Sequence, residues 1–173
     1  MKKIALLITA AIFCCFVSCN NEKTSAVGET KEENTAAKKN LDAMHTVTKA
    51  FDTGDPSMID SVVASDFVDH TDRGDMGRDS LKAMVVAWKK ASKDSKTEII
   101  KELADDEYGF SWLRFTGTSD GSMGMPAGPY NMTSIEVVKF NKDSKAVEHW
   151  GFMEMREAMK MMAQQKTPEK KEK

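Results

Sequence analysis

Hydrophobic spacing changes once along this chain, near residue 95, and the change confines it to one fold class. Before it, apolar residues recur every three or four positions. Ala37, Leu41, Met44, Thr48 and Phe51 make one stripe of this kind. Gly54 ends that helix, and Asp55-Pro56 opens a short second one, whose buried side is Met58, Ile59, Val62 and Val63. Leu81, Met84, Val85 and Trp88 predict a third helix over residues 78–92. Beyond residue 95 the spacing becomes two. Residues 96–103, 108–118, 132–140 and 145–153 read as strands, with 141–144 as a hairpin turn and 119–130 as a loop. Residues 65–70 are a short extended segment running into a loop at 71–77, and 154–165 form a short helix. Helices first and strands afterwards predict an α+β domain: a curved antiparallel sheet forming a cone packed on three N-terminal helices. The cone leaves a pocket between sheet and helices.

The ends of the chain read differently. Lys2 and Lys3 precede an apolar run over residues 4–17, too short to span a bilayer as a stable helix. Phe16-Val17-Ser18-Cys19 then has the pattern of a bacterial lipoprotein signal, which predicts a signal peptide over residues 1–18 and lipidation of Cys19. Residues 19–35 are polar and predict a tether. Residues 36–165 are the domain, and 166–173 (KTPEKKEK) predict a disordered tail. The expected location is the cell envelope, with a lipid anchor in a bacterial membrane, the outer one in the first instance.

Composition narrows the chemistry. All three cysteines (Cys14, Cys15 and Cys19) lie within the first nineteen residues, ahead of the expected domain, which therefore has no disulfide, catalytic thiolate or thiolate ligand. The net charge is −2, and no aromatic-and-basic strand is present, so no nucleic-acid partner is expected. There is no glycine-rich phosphate loop and no serine elbow. His70, Glu136 and His149 would satisfy a two-histidine, one-carboxylate count, but on separate strands without diagnostic spacing. Neither a metal nor a cofactor is expected.

Several stretches together resemble a known family: Gly54-Asp55 after the first helix, Phe67-Val68-Asp69-His70, Gly117-Thr118 with Gly124-Met125-Pro126, and Val147-Glu148-His149-Trp150. In order and spacing, residues 36–155 resemble the SnoaL-like polyketide cyclase branch of the nuclear transport factor 2-like superfamily. The resemblance implies a cystatin-like cone, a small-molecule ligand and a homodimer formed through the outer sheet face. In such cyclases an aspartate on the last strand moves the proton, and that position falls on Gly151. In the steroid isomerase branch the base falls on His70, a tyrosine donor falls on Val47, and an acidic donor falls near Glu136. Neither set is complete, which leaves His70, Glu136 and His149 as a candidate trio.

Strand alternation puts Val147, His149 and Met153 on the cavity face of the last strand and Glu148, Trp150 and Phe152 on the other. It places Glu136 inward with Ser134, Val138 and Phe140. Asp69, Trp88, Trp112, Met125 and Tyr130 are candidate ligand contacts, with Met123 and Met125 as an adaptable apolar lid. Two functions remain open: a small, largely apolar organic ligand bound without catalysis, or acid/base chemistry by His70 or His149 with Glu136.

Overall fold

The computed structural model describes residues 31–165. The expected signal peptide, Cys19 and the tail at 166–173 lie outside the described residues. So does the expected tether up to residue 30. Its last five residues instead begin the first helix, α1 (Lys31–Thr53). The corrected start reflects Lys31, Glu32 and Glu33, which are polar but are good helix formers.

The buried side of α1 is Asn40, Ala43, Met44 and Ala50, with Leu41, Val47 and Phe51 packed against the core. Gly54 closes the helix at φ +79°, in the left-handed region, and its N–H donates to Ala50 O at 2.7 Å. Asp55 then caps the next turn by accepting from Ser57 N at 2.9 Å, with Pro56 in the first helical position. That turn is a 3-10 segment (Pro56–Met58) running into the single-turn α2 (Ile59–Val62). Val63, expected on this helix, already has extended backbone and opens β1 (Val63–Thr71).

The sheet has six strands: the four expected after residue 95, the extended segment expected at 65–70, and one more. The segment expected as a loop at 71–77 pairs with β1 as a short antiparallel strand, β2 (Gly74–Gly77). After α3 (Arg78–Ala91) come β3 (Ser92–Ala104), β4 (Tyr108–Ser119), β5 (Gly128–Phe140) and β6 (Ala146–Met153), then α4 (Met155–Gln165). The order across the sheet is β2-β1-β6-β5-β4-β3. All neighbours are antiparallel except β1 and β6, which run parallel. The turn between β5 and β6 is set by Asn141, whose side-chain oxygen accepts from Asp143 N at 3.0 Å and Lys145 N at 3.1 Å.

The helices cover the concave side of the sheet. Ile59, Val63 and Val85 are fully buried and, with Phe67, Phe140 and Ala146, belong to one hydrophobic core between helices and sheet. The β5–β6 register slips between Lys139 and Phe140, so Phe140 faces Ala146 and Val147 is skipped. This bulge corrects the expected alternation on β6. Ala146 lines the interior instead of Val147, while His149 and Met153 keep their inward positions.

Candidate functional site

Between the helices and the sheet lies a cavity of about 330 Å³. Its walls are largely apolar: Met44, Val47 and Phe51 from α1, Leu81, Met84 and Trp88 from α3, and Leu113, Phe115, Met132 and Val138 from the sheet. Three ionisable groups interrupt them, one from each of three adjacent strands.

Asp69 comes from β1 and is almost fully buried. In the parallel β1–β6 pair it lies beside His149. The two side chains meet, with His149 Nδ1 2.7 Å from Asp69 Oδ1. On the other side of the ring, His149 Nε2 is 2.7 Å from Glu136 Oε2 on β5. Glu136 is opposite Gly151 in the β5–β6 ladder. A Cβ at residue 151 would stand 3.2 Å from Glu136 Oε2, so the missing side chain leaves room for the carboxylate to swing toward His149. Ser111 is the cross-strand neighbour of Glu136 on β4 and also lines the cavity.

Burial would by itself push the His149 pKa down. The hydrogen bonds that His149 donates to Asp69 and Glu136, with the negative charge of both carboxylates, outweigh it and raise the value to about 9. At neutral pH the ring is therefore an imidazolium that donates one N–H to each carboxylate. Both nitrogens are committed, so neither is free to ligate a metal in this arrangement. Among the described residues, no group of three or more histidine, cysteine, aspartate or glutamate side chains is arranged to hold a metal ion.

The expected trio is thus divided. His149 and Glu136 converge on one void, and His70 does not. Phe67 and Asp69 face inward on β1, so the alternation turns His70 outward. There its ring stacks on Trp150 with centroids 4.8 Å apart. Its nitrogens meet Asp75 Oδ1 at 3.0 Å and Glu148 Oε2 at 3.1 Å. Glu148 first, then Asp75, hold its pKa above the ordinary histidine value. The third inward group is Asp69, a residue expected to contact ligand but not to orient His149. The signal for it was in the sequence: Phe67 is apolar, and residue 69 shares its face.

The other expected contacts also separate. Trp88 lines the cavity, braced by edge contacts to Phe115 and Tyr130. Tyr130 itself stands behind Trp88, its hydroxyl against that of Ser92, and is not in the wall. Trp112 is on the outer sheet face, 42% exposed, because the inward residues of β4 are Ser111, Leu113 and Phe115. Met125 is buried within the β4–β5 connection and does not line the cavity. Met123 in the same connection is exposed.

The sequence profile of the SnoaL-like polyketide cyclases matches residues 41–164. The chain belongs to the SnoaL-like polyketide cyclase family. Among curated proteins, no sequence matches. Solved structures agree with this family's fold. TsrD from Streptomyces laurentii superposes with a TM-score of 0.63 at 17% identity, covering 72% of this chain and 94% of that one. Wild-type IdmH from Streptomyces antibioticus gives 0.59 at 20% identity, covering 74% and 99%. The BvnE pinacolase from Penicillium brevicompactum gives 0.61 at 12% identity, covering 76% and 94%. At such identities the likeness establishes the fold. Within this fold Gly151 stands opposite Glu136, whose carboxylate reaches past it toward His149 from the neighbouring strand.

Proposed function

We propose that the cone binds a small, largely apolar organic molecule and moves a proton on it. The observation that carries this reading is the Asp69–His149–Glu136 chain set into the wall of an otherwise apolar cavity. Glu136 Oε2 is held by His149, and its second oxygen is the proton acceptor. It takes a proton from carbon beside a carbonyl, and the electron pair moves to the carbonyl oxygen. The imidazolium stabilises the resulting negative charge through space, and Ser111, the cross-strand neighbour of Glu136, offers a hydroxyl in the cavity wall. Return of the proton from Glu136 to a different carbon gives an isomer; alternatively, attack of the carbanion on a second carbonyl opens its π bond to an alkoxide, which takes the proton from Glu136 and leaves a closed ring and the carboxylate restored. Asp69 keeps the ring oriented and charged.

The test is hydrogen–deuterium exchange into small enolisable ketones, followed by NMR in deuterated buffer. The expected result is exchange above buffer that disappears in Glu136→Gln. Absence of exchange in every ketone that stabilises the fold would contradict the proposal. Noncatalytic ligand binding is the second reading, favoured by Gly151 and Val47 at positions where related enzymes carry an acid and a tyrosine. It gives ligand-dependent thermal stabilisation without exchange.

The proposal includes a setting. The lipobox at Cys19 supports a lipid-anchored protein of the cell envelope, out of reach of soluble synthases, which makes polyketide cyclisation itself a poor fit. The outer sheet face, with Phe110, Trp112, Ile135 and Phe152 exposed, supports a homodimer.

A further inference from the structure

Of the side chains that line the cavity, three ionise: Asp69, Glu136 and His149. Among the described residues, no lysine or arginine is in the wall. Two carboxylates against one imidazolium leave the wall with a net negative charge, and a neutral ring would leave it more negative still. The surroundings do not cancel it. On the outer face behind these strands, Lys139 is paired with Glu148 at 3.1 Å, and His70 lies between Glu148 and Asp75. Beside α1, the lining Thr97 donates to Asp52 Oδ1 at 2.8 Å, which brings a further carboxylate to the edge of the cavity. Lys89 donates to the backbone oxygen of that same residue. Arg78 and Lys82 gather on Asp60, an exposed residue outside the cavity.

The hydrogen-bonding groups of the wall have the same bias. His149 gives one N–H to each carboxylate and has none left for a ligand. Thr97 has given its proton to Asp52, and Ser134 gives its own to Phe152 O at 3.2 Å. Glu136 uses one oxygen on His149, and among the described residues the other oxygen has no donor. Ser111, across the ladder from Glu136, adds a hydroxyl that can accept. A ligand carboxylate would exchange its water for a negatively charged, largely apolar wall with no free cation to pair it, at a large cost. An ammonium would instead meet opposite charge and two acceptors.

We propose that the cone selects its ligand by charge, taking an apolar molecule that carries one amine as the ammonium and rejecting carboxylates. This rests on the reading that the cone holds a small apolar ligand, and it is independent of proton transfer.

The test compares three molecules of one skeleton on the full chain at neutral pH: 4-phenylbutan-2-amine, a cation; 4-phenylbutan-2-one, uncharged; and 3-phenylpropanoate, an anion. Isothermal titration gives their Kd values. The amine is expected to bind roughly tenfold more tightly than the ketone, and the carboxylate roughly tenfold more weakly. Because the charge is inside the cone, both ratios are expected to persist in high salt, which screens attraction to an acidic surface. Glu136→Gln removes one negative charge from the wall and is expected to bring amine and ketone within about threefold of each other. The wild-type ranking stands as a test by itself if that variant fails to fold. An amine that binds no more tightly than the ketone, or a carboxylate that binds as tightly as the amine, would overturn the proposal. So would an amine preference that vanishes in salt or survives Glu136→Gln. Deuterium exchange into the ketone is read separately. Exchange without an amine preference sinks the charge selection alone, and an amine preference without exchange sinks proton transfer alone.

Discussion

Glu136 and Gly151 face each other across the β5–β6 ladder, and the carboxylate of the first leans over the second to reach His149. An acid on β5 thereby serves a histidine on β6 that is itself backed by an acid on β1. The consequences of this three-strand arrangement are measurable.

Replacing Gly151 by alanine puts a Cβ within 3.2 Å of Glu136 Oε2. The carboxylate must give way by a few tenths of an ångström, which lengthens a charge-assisted hydrogen bond. Gly151→Ala is expected to lower the His149 pKa and to cost about 1 kcal/mol of stability. NMR titration of the ring and urea unfolding check the two effects.

Stability should depend on alkaline pH through His149. Its folded pKa of about 9 is above the unfolded value of 6.5, so the folded state holds the proton more tightly. The stabilisation is fully present below the unfolded pKa and is lost as pH rises through about 9. Its size is on the order of 3 kcal/mol. Urea unfolding at several pH values should show this loss in the wild type, and His149→Gln should flatten it over that window.

His70→Ala is expected to leave deuterium exchange in the cone within about twofold of wild type, because His70 contacts Trp150, Asp75 and Glu148 on the other face of the sheet. Glu136→Gln is expected to abolish it. Equal losses in the two variants would mean that His70 reaches the reacting group.

Packing separates the core from the outer face of the sheet in the same way. Ile59→Ala removes a side chain with no exposed surface from the hydrophobic core and is expected to cost about 2–5 kcal/mol. Trp112→Ala, on the outer face, is expected to change monomer stability by about 0.5 kcal/mol or less. Thermal unfolding at a protein concentration that keeps the chain monomeric compares them.

The fold was legible because the helical stripes and the long alternating strands each bury one side. Residues 78–92 and 145–153 were read nearly to their ends from period alone, whereas β5 begins at Gly128, inside the stretch expected as a loop. The β2 strand was not, because Gly74-Asp75-Met76-Gly77 has turn composition and owes its extended form to pairing with β1. The site was legible in part. Alternation gave Glu136 and His149 their inward positions. It could not decide between Asp69 and His70, neighbours of which only one can face the cavity, without being anchored at Phe67. Trp112 and Arg114 share a face that period leaves free to be either side of the sheet. Only the packing of the helices against the other face, where Ser111, Leu113 and Phe115 line the cavity, assigns it outward. The β6 bulge at Val147 lay beyond sequence reasoning, since it arises from a register slip between two strands.

The central claim is that Asp69 and Glu136 hold His149 as an imidazolium in the cavity wall. Nitrogen and carbon NMR of the His149 ring across a pH titration measures this directly. The account predicts a doubly protonated ring at neutral pH, with a pKa of about 9 that falls in Glu136→Gln. A ring that is singly protonated at neutral pH and titrates near 6.5, unchanged by Glu136→Gln, would contradict it.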